Sequence, residues 1–385
     1  MAQTWRITPL KVAVFRAADA LTLPARLVRS KYKSPDKIER ILVLEPWLIG
    51  DVVIATAALK ALRGLFPDAR ITLLAKEHAR ELLEHSPFVD EIVVHDLPWT
   101  ARTNKYDLKR YDFTAIKGLL SRLEAMKFDL SIDARMDLRS NLLTWLIGAK
   151  HRIGFDYGGG SSLLTHAVAA APNSKHRVDD WLDLVRAAVP FAAPHNRDLA
   201  LTLADGCYPE LTISGFETAW VSDWLSSHGI SGTGPLVAIH AGASDPRRRW
   251  PLTSYRKVAR HLQDKWNAEI LFFPEPNDLS QDFDLATATA RVSLREMMAL
   301  MSRTDLVLCN DSGPMHIADA LDVPVVAIFM TGNPRWHRPS RPYQRHVGEG
   351  TGHDFLIPPT EEQAIQAADA LLESARGAHA GTAAQ

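Results

Sequence analysis

The sequence predicts two α/β domains in tandem, each a parallel sheet covered by helices on both faces. Short, continuously apolar runs of strand length alternate with amphipathic helical stretches in both halves of the chain. A stretch punctuated by Pro and Gly between residues 190 and 235 separates the halves and reads as their connection. The chain of 385 residues is long enough for two ordinary domains.

In the first half, residues 41–44, 71–74, 92–94 and 130–133 read as strands. A helix follows Gly50 from Asp51 to residue 65, and another ends near Lys127. The connection holds one helix-like stretch, 216–227; in the second half the strands are residues 236–240, 270–273, 306–309 and 325–329, with helices at 253–266, 294–301 and 361–374. The expected domains are a basic N-terminal extension (1–37), a first domain (38–205), a second (206–345), and a closing helix with a disordered Ala/Gly-rich tail (346–385).

Composition narrows the function classes. Hydrophobic residues make up 46% and charged residues 23%, the balance of a globular protein rather than a disordered or fibrous one. The net charge of −1 removes the global electrostatic case for nucleic-acid binding. Cys207 and Cys309 form no CxxC metal or redox spacing and read as small buried residues in a reducing compartment. Apolar runs fall short of the ~20 residues that span a bilayer, and no secretory signal is visible, so a cytoplasmic protein is expected. One asymmetry stands out: residues 1–40 carry nine basic residues against three acidic. There Leu10, Val14, Ala17, Ala18, Leu21 and Ala25 recur at helical spacing. Such a segment rests on an anionic membrane surface, docks on its own domain, or forms a partly disordered arm.

Ligands of doubly wound sheets bind at the carboxyl ends of strands. Three stretches there carry chemistry. After the first strand comes Trp47-Leu48-Ile49-Gly50-Asp51, where Gly50 permits a tight turn and Asp51 opens the next helix, either as a cap or as a carboxylate kept ionised by the helix dipole. In Asn310-Asp311-Ser312-Gly313-Pro314-Met315-His316, a turn glycine, a helix start and polar side chains converge as they do around a phosphate. His240-Ala241-Gly242-Ala243-Ser244, followed by Arg247-Arg248-Arg249, reads either as a cradle for a pyrophosphate or as a solvated loop. Two other classes fail: there is no GxGxxG after the first strand, as a dinucleotide dehydrogenase needs, and no GxxxxGK[ST] of a P-loop NTPase. Asp282-Phe283-Asp284 has the form of a metal-binding DxD but sits in an acidic, helix-like stretch and reads as a solvated face.

In order and spacing, these stretches together resemble glycosyltransferase family 9, the ADP-heptose:lipopolysaccharide heptosyltransferases. The resemblance is carried by residues 41–53, by His240 to Ser244 with Arg249-Trp250-Pro251, and by Asn310 to Ala318 followed by residues 323–329. It implies a GT-B fold, two Rossmann-like domains facing across a cleft, and inverting transfer without a metal or other cofactor. By the same resemblance, Asp51 matches the catalytic base, with Gly50 beside it on the acceptor side. Arg248 falls at the family's basic residue on the donor phosphates, and Ser244, Asp311, Ser312, Gly313 and His316 match the donor-phosphate loop. Glu275 corresponds to the carboxylate that accepts from the ribose hydroxyls. Two isolated cysteines exclude the iron-binding autotransporter branch.

The partners implied are a nucleotide sugar, ADP-heptose, and a lipid-linked saccharide acceptor at the inner membrane surface, with no nucleic acid. Lys175, His176, Arg177, Arg335, Arg338 and Arg341 are candidates for meeting an anionic acceptor. Glu45, where many members carry a basic residue, bears on the acceptor's charge. The alternatives are the same fold with another donor or acceptor, and a nucleotide-sugar-binding protein without catalysis.

Overall fold

The computed structural model describes residues 37–101, 111–170, 175–197, 206–275, 282–348 and 358–382, with 107, 109 and single positions between 13 and 24. Most of the basic N-terminal extension therefore lies outside the described residues. The chain divides into two compact units, the first reaching Tyr208 and the second beginning at Pro209.

In the first unit the elements run β1 (Arg40–Glu45), α1 (Ile49–Leu65), β2 (Arg70–Ala75), α2 (His78–Leu83), β3 (Glu91–Val94), α3 (Phe113–Ala125), β4 (Leu130–Asp133), α4 (Leu138–Leu146), β5 (His151–Phe155), β6 (His166–Val168) and α5 (Arg177–Ala188). All six strands are parallel, in the order β3-β2-β1-β4-β5-β6. β1 and β4 are buried along almost their whole length, because helices cover both faces of the sheet. α1 packs against α5 and buries eleven of its seventeen residues, an Ala- and Val-rich face that fixes how its N-terminus meets the end of β1.

The second unit repeats the plan: α6 (Gly215–Ser227), β7 (Leu236–His240), α7 (Leu252–Trp266), β8 (Glu269–Phe272), β9 (Ala288–Thr289), α8 (Leu294–Met301), β10 (Leu306–Asn310), α9 (Gly313–Ala320), β11 (Val325–Ile328), α10 (Pro334–His337), β12 (Arg345–Val347) and α11 (Glu361–Thr382). Its parallel order is β12-β11-β10-β7-β8-β9. Each unit thus places its first and fourth strands side by side, the 3-2-1-4-5-6 order of the dinucleotide-binding doubly wound sheet. The order reverses at that pair, between β1 and β4 and between β7 and β10. There the connections leave in opposite directions and open a crevice at the carboxyl ends.

Several expectations change. The first helix starts at Ile49 with Leu48 as its N-cap, so Asp51 is the third helical residue rather than the first, and Gly50 is helical rather than a turn. The Pro- and Gly-punctuated stretch is not a free connection. From Pro209 on it belongs to the second unit, with the Leu211 amide bonded to the Ala320 carbonyl and α6 packed on α8. Asp282-Phe283-Asp284 is not helical: Phe283 is a core residue stacked on Phe272 with centroids 4.7 Å apart, while Asp282 and Asp284 are exposed and Asp284 pairs with Arg256 at 2.7 Å. The last helix continues past residue 374 to Thr382, where the expected tail is alanine-rich and so favours helix. Both cysteines are buried, and the Cys207 thiol donates to the Ala57 carbonyl at 3.2 Å. No described helix is long and apolar enough to cross a membrane.

α6 is held to α8 by an ion pair. Glu217 closes a capping box with Ser214, and its carboxylate accepts from Arg295 Nε and Nη2. Burial opposes ionisation of Glu217, but the Arg295 and Ser214 hydrogen bonds outweigh it and hold its pKa down at about 2. A depressed carboxylate stabilises the fold above its unfolded pKa, and the contribution fades as pH falls from about 4.5 through about 2. Glu217→Gln keeps the capping geometry and removes the charge. Urea unfolding at pH 7 should show a loss of about 1–3 kcal/mol, shrinking toward zero as the pH is lowered through that window. A difference independent of pH would show that the charge contributes nothing.

Candidate active site

At the first crevice, Asp51 reaches back from α1 and its Oδ2 accepts from the Leu48 amide at 3.3 Å. Its Oδ1 lies 2.8 Å from Arg135 Nη2. The same nitrogen lies 2.5 Å from Oε1 of Glu45, the last residue of β1. Arg135 comes two residues after β4, and its guanidinium stands 4.4 Å over the Trp47 ring. Its backbone amide donates to Asp133 Oδ1 at 2.9 Å. Glu45 is fully buried. Burial pushes its carboxyl above the usual range against the pull of Arg135, and the Asp51 charge adds to that rise. Burial likewise raises Asp133 well above the usual range.

The other basic residues singled out in this half have partners of their own. Lys175 pairs with Asp183 at 2.6 Å. His176 caps α5 by accepting from the Val178 amide. Arg177 is buried against Asp180 at 3.3 Å.

At the second crevice, Asn310 ends β10 and is fully buried. Its Nδ2 donates to the Ala241 carbonyl at 2.7 Å and its Oδ1 accepts from the Trp250 amide at 3.0 Å, which fixes the loop after β7 against β10. Ser312 is the N-cap of α9 by position. Its hydroxyl donates to the Asn310 carbonyl at 3.2 Å and makes no capping bond. Gly313 and Pro314 form the first turn, so the α9 N-terminus has no side-chain cap from this chain and is electrostatically suited to an anion. His316, four positions into α9, is buried with its ring 6.5 Å from that of His337.

The three arginines do not form one cradle. Arg248 faces the loop, with Nη1 3.2 Å from Asp311 Oδ2 and 3.3 Å from the Asp311 carbonyl oxygen. Arg249 braces the loop through the Ala243 carbonyl at 2.8 Å and stands 3.7 Å from Glu275. Arg247 pairs outward with Asp245 at 2.8 Å. Asp311 is buried, so its carboxylate anchors Arg248 rather than meeting a like-charged phosphate. Glu275 packs on Gly242 so closely that a Cβ there would stand 2.0 Å from its carboxylate oxygen. Ser244 is exposed on the same loop. Burial pushes His240, at the end of β7, down to about 4, so its ring is neutral near pH 7.

Arg341, a candidate for the acceptor, is instead tied to the Asp319 carbonyl at 2.9 Å and to Asp322 at 3.0 Å. Arg335 and Arg338 are exposed around α10. Among the described residues, no group of three or more His, Cys, Asp or Glu is placed to hold a metal ion.

Sequence reasoning missed Arg135. Its partners lie some ninety positions away, and the only signal was a cation just past a strand that the topology sets beside β1.

Comparison with known proteins gives these arrangements a family. Residues 116–363, more than half of the chain, match the model of glycosyltransferase family 9 (heptosyltransferase). Lipopolysaccharide heptosyltransferase 2 of Escherichia coli is 22% identical over 363 residues, covering 86% of this chain and 98% of that protein. A glycosyl transferase family 9 structure from Veillonella parvula superposes with a TM-score of 0.71 at 23% identity, over 88% of this chain and 98% of that one. The structure of the Escherichia coli ADP-heptose lipopolysaccharide heptosyltransferase II gives 0.67 at 22%, over 88% and 99%. The α/β architecture is thus the GT-B class of these structures, and the chain belongs to glycosyltransferase family 9, the heptosyltransferases.

Proposed function

We propose that the chain moves a heptosyl group from ADP-heptose to a sugar hydroxyl of a lipid-linked lipopolysaccharide core, with inversion at the anomeric carbon and Asp51 as the base. One observation carries the donor half of this reading. At the crevice between β7 and β10, an uncapped helix N-terminus, the small-residue loop 241–244 and Arg248 converge on one point. That combination suits a diphosphate, which gains from backbone amides, the helix dipole and a guanidinium together. His316 adds a donor, and Glu275 beside Gly242 is placed to accept from ribose hydroxyls.

In the reaction, the acceptor oxygen attacks the anomeric carbon and its proton passes to the Asp51 carboxylate. The bond from that carbon to the phosphate oxygen breaks, and its electron pair leaves with the diphosphate. Two kinds of stabilisation are needed: a base in reach of the hydroxyl, worth about 10²–10⁴-fold, and preorganised positive potential for the leaving group. Arg248 and the α9 N-terminus supply the second without a metal ion. Arg135, bound to Asp51 and Glu45, and Arg177, bound to Asp180, are already paired, which favours a neutral, hydroxyl-rich sugar next to Asp51 over a phosphorylated one.

Three outcomes follow. In thermal-shift and calorimetric titrations, ADP should stabilise the chain more than UDP, GDP or CMP do, equally with and without a chelator. Arg248→Ala should weaken ADP by about 10–100-fold, the scale of a charge-assisted hydrogen bond; an unchanged affinity moves the phosphate site elsewhere. Asp51→Asn should lower heptosyl transfer to a heptose-deficient lipopolysaccharide by about 10²–10⁴-fold and leave ADP affinity intact. A variant that keeps most of its turnover is incompatible with Asp51 as base.

A further inference from the structure

We propose that Arg135 is the positioning residue for Asp51: it holds one carboxylate oxygen, and buried Glu45 in turn holds Arg135. The inference rests on the reading of Asp51 as the base. Two contacts besides Asp51 fix the guanidinium, and two more hold the backbone that carries it. Glu45 Oε1 lies 2.5 Å from Nη2, and the Trp47 ring lies 4.4 Å beneath the guanidinium. The Arg135 amide is bound to Asp133 at 2.9 Å. Its neighbour Met136 presents a carbonyl to Gly158, where any Cβ would stand 2.1 Å from that oxygen and where φ is +96°. A side chain at Gly158 would therefore push the loop that carries Arg135.

Held this way, Arg135 takes Asp51 Oδ1 at 2.8 Å, while the Leu48 amide takes Oδ2 at 3.3 Å. The carboxylate is thus fixed at both oxygens, with the longer bond at Oδ2. A carboxylate has about four acceptor positions, so Oδ2 retains capacity for the acceptor proton. Two carboxylates divide one guanidinium. Glu45 has 0% side-chain exposure and Asp51 17%, so Glu45 is the buried anchor and Asp51 the working group. By sharing Arg135, Glu45 limits how strongly the cation suppresses the basicity of Asp51. An arginine held by Asp51 alone would keep it ionised but make it a poorer proton acceptor.

The other charged groups around this set are Asp133 at the end of β4, Lys76 just after β2, His78 at the start of α2, and Arg177 of α5. Arg177 acts on Glu45 and is paired with Asp180. None of them touches both carboxylates as Arg135 does.

The test uses the full chain with ¹³C-labelled aspartate carboxyls, Asp51 being identified by its absence in Asp51→Asn. Arg135→Met should raise the Asp51 titration midpoint by roughly 1–2 pH units, since it removes an opposite charge and leaves the Glu45 charge behind. Glu45→Gln should lower the midpoint, because Arg135 then serves Asp51 alone. Arg135→Lys should restore most of the wild-type value. The acid limb of the transfer rate should move in the same directions, with ADP affinity constant. A midpoint unmoved by Arg135→Met, or shifted the same way by both substitutions, overturns the proposal. Should Arg135→Met fail to fold, the isosteric Glu45→Gln decides alone, and no downward shift is fatal. Retained transfer in Asp51→Asn would reject the base reading separately, since the titration reports the coupling whether or not Asp51 is the base.

Discussion

The arrangement of both crevices depends on strand order. In each unit the first and fourth strands are neighbours, so the connections that leave them part in opposite directions and expose the strand ends. Residues that end β1 and β4, or β7 and β10, are therefore brought together from distant parts of the chain. Leu44 stands beside Asp133, and His240 beside Cys309. Asp51, Arg135, Arg248 and His316 all lie on the segments that follow these ends, and Glu275 follows the neighbouring strand β8.

The two crevices use a common device. Each holds an arginine with a buried acid: Glu45 for Arg135, and Asp311 for Arg248. A buried carboxylate without a partner is costly, so the acid and the arginine fix one another, and the acid does not act on substrate. The outcomes differ because the surroundings differ. Arg135 meets a second carboxylate, Asp51, and serves a group suited to accept a proton. Arg248 stands beside a helix N-terminus that has no side-chain cap, and serves a site suited to an anion. On the function proposed above, one fold repeated twice supplies a basic group and a phosphate site.

Much of this was legible in the sequence, for physical reasons. Strands buried on both faces read as apolar runs, as in residues 41–44 and 306–309. The donor loop was visible because glycine, proline and polar caps fall at fixed offsets from a helix start. β5 was not, since its sequence His-Arg-Ile-Gly-Phe lacks such a run. Arg152 is buried there only because Leu163 and Ala149 carbonyls accept from it at 2.7 and 2.6 Å. The short β6, β9 and β12 give too few residues for any period to emerge. The three arginines looked alike in sequence and are told apart only by their partners. The burial of Glu45 was not legible either, because it depends on a pairing across the sheet.

The central claim is that the β7–β10 crevice receives the diphosphate of the donor. A crystal structure of the chain with ADP tests it most directly. The diphosphate should lie against the N-terminus of α9, near Gly313, with the Arg248 guanidinium in hydrogen-bond contact and Glu275 on the ribose. ADP bound in the first unit, or in the second away from residues 241–244 and 311–316, would contradict the account.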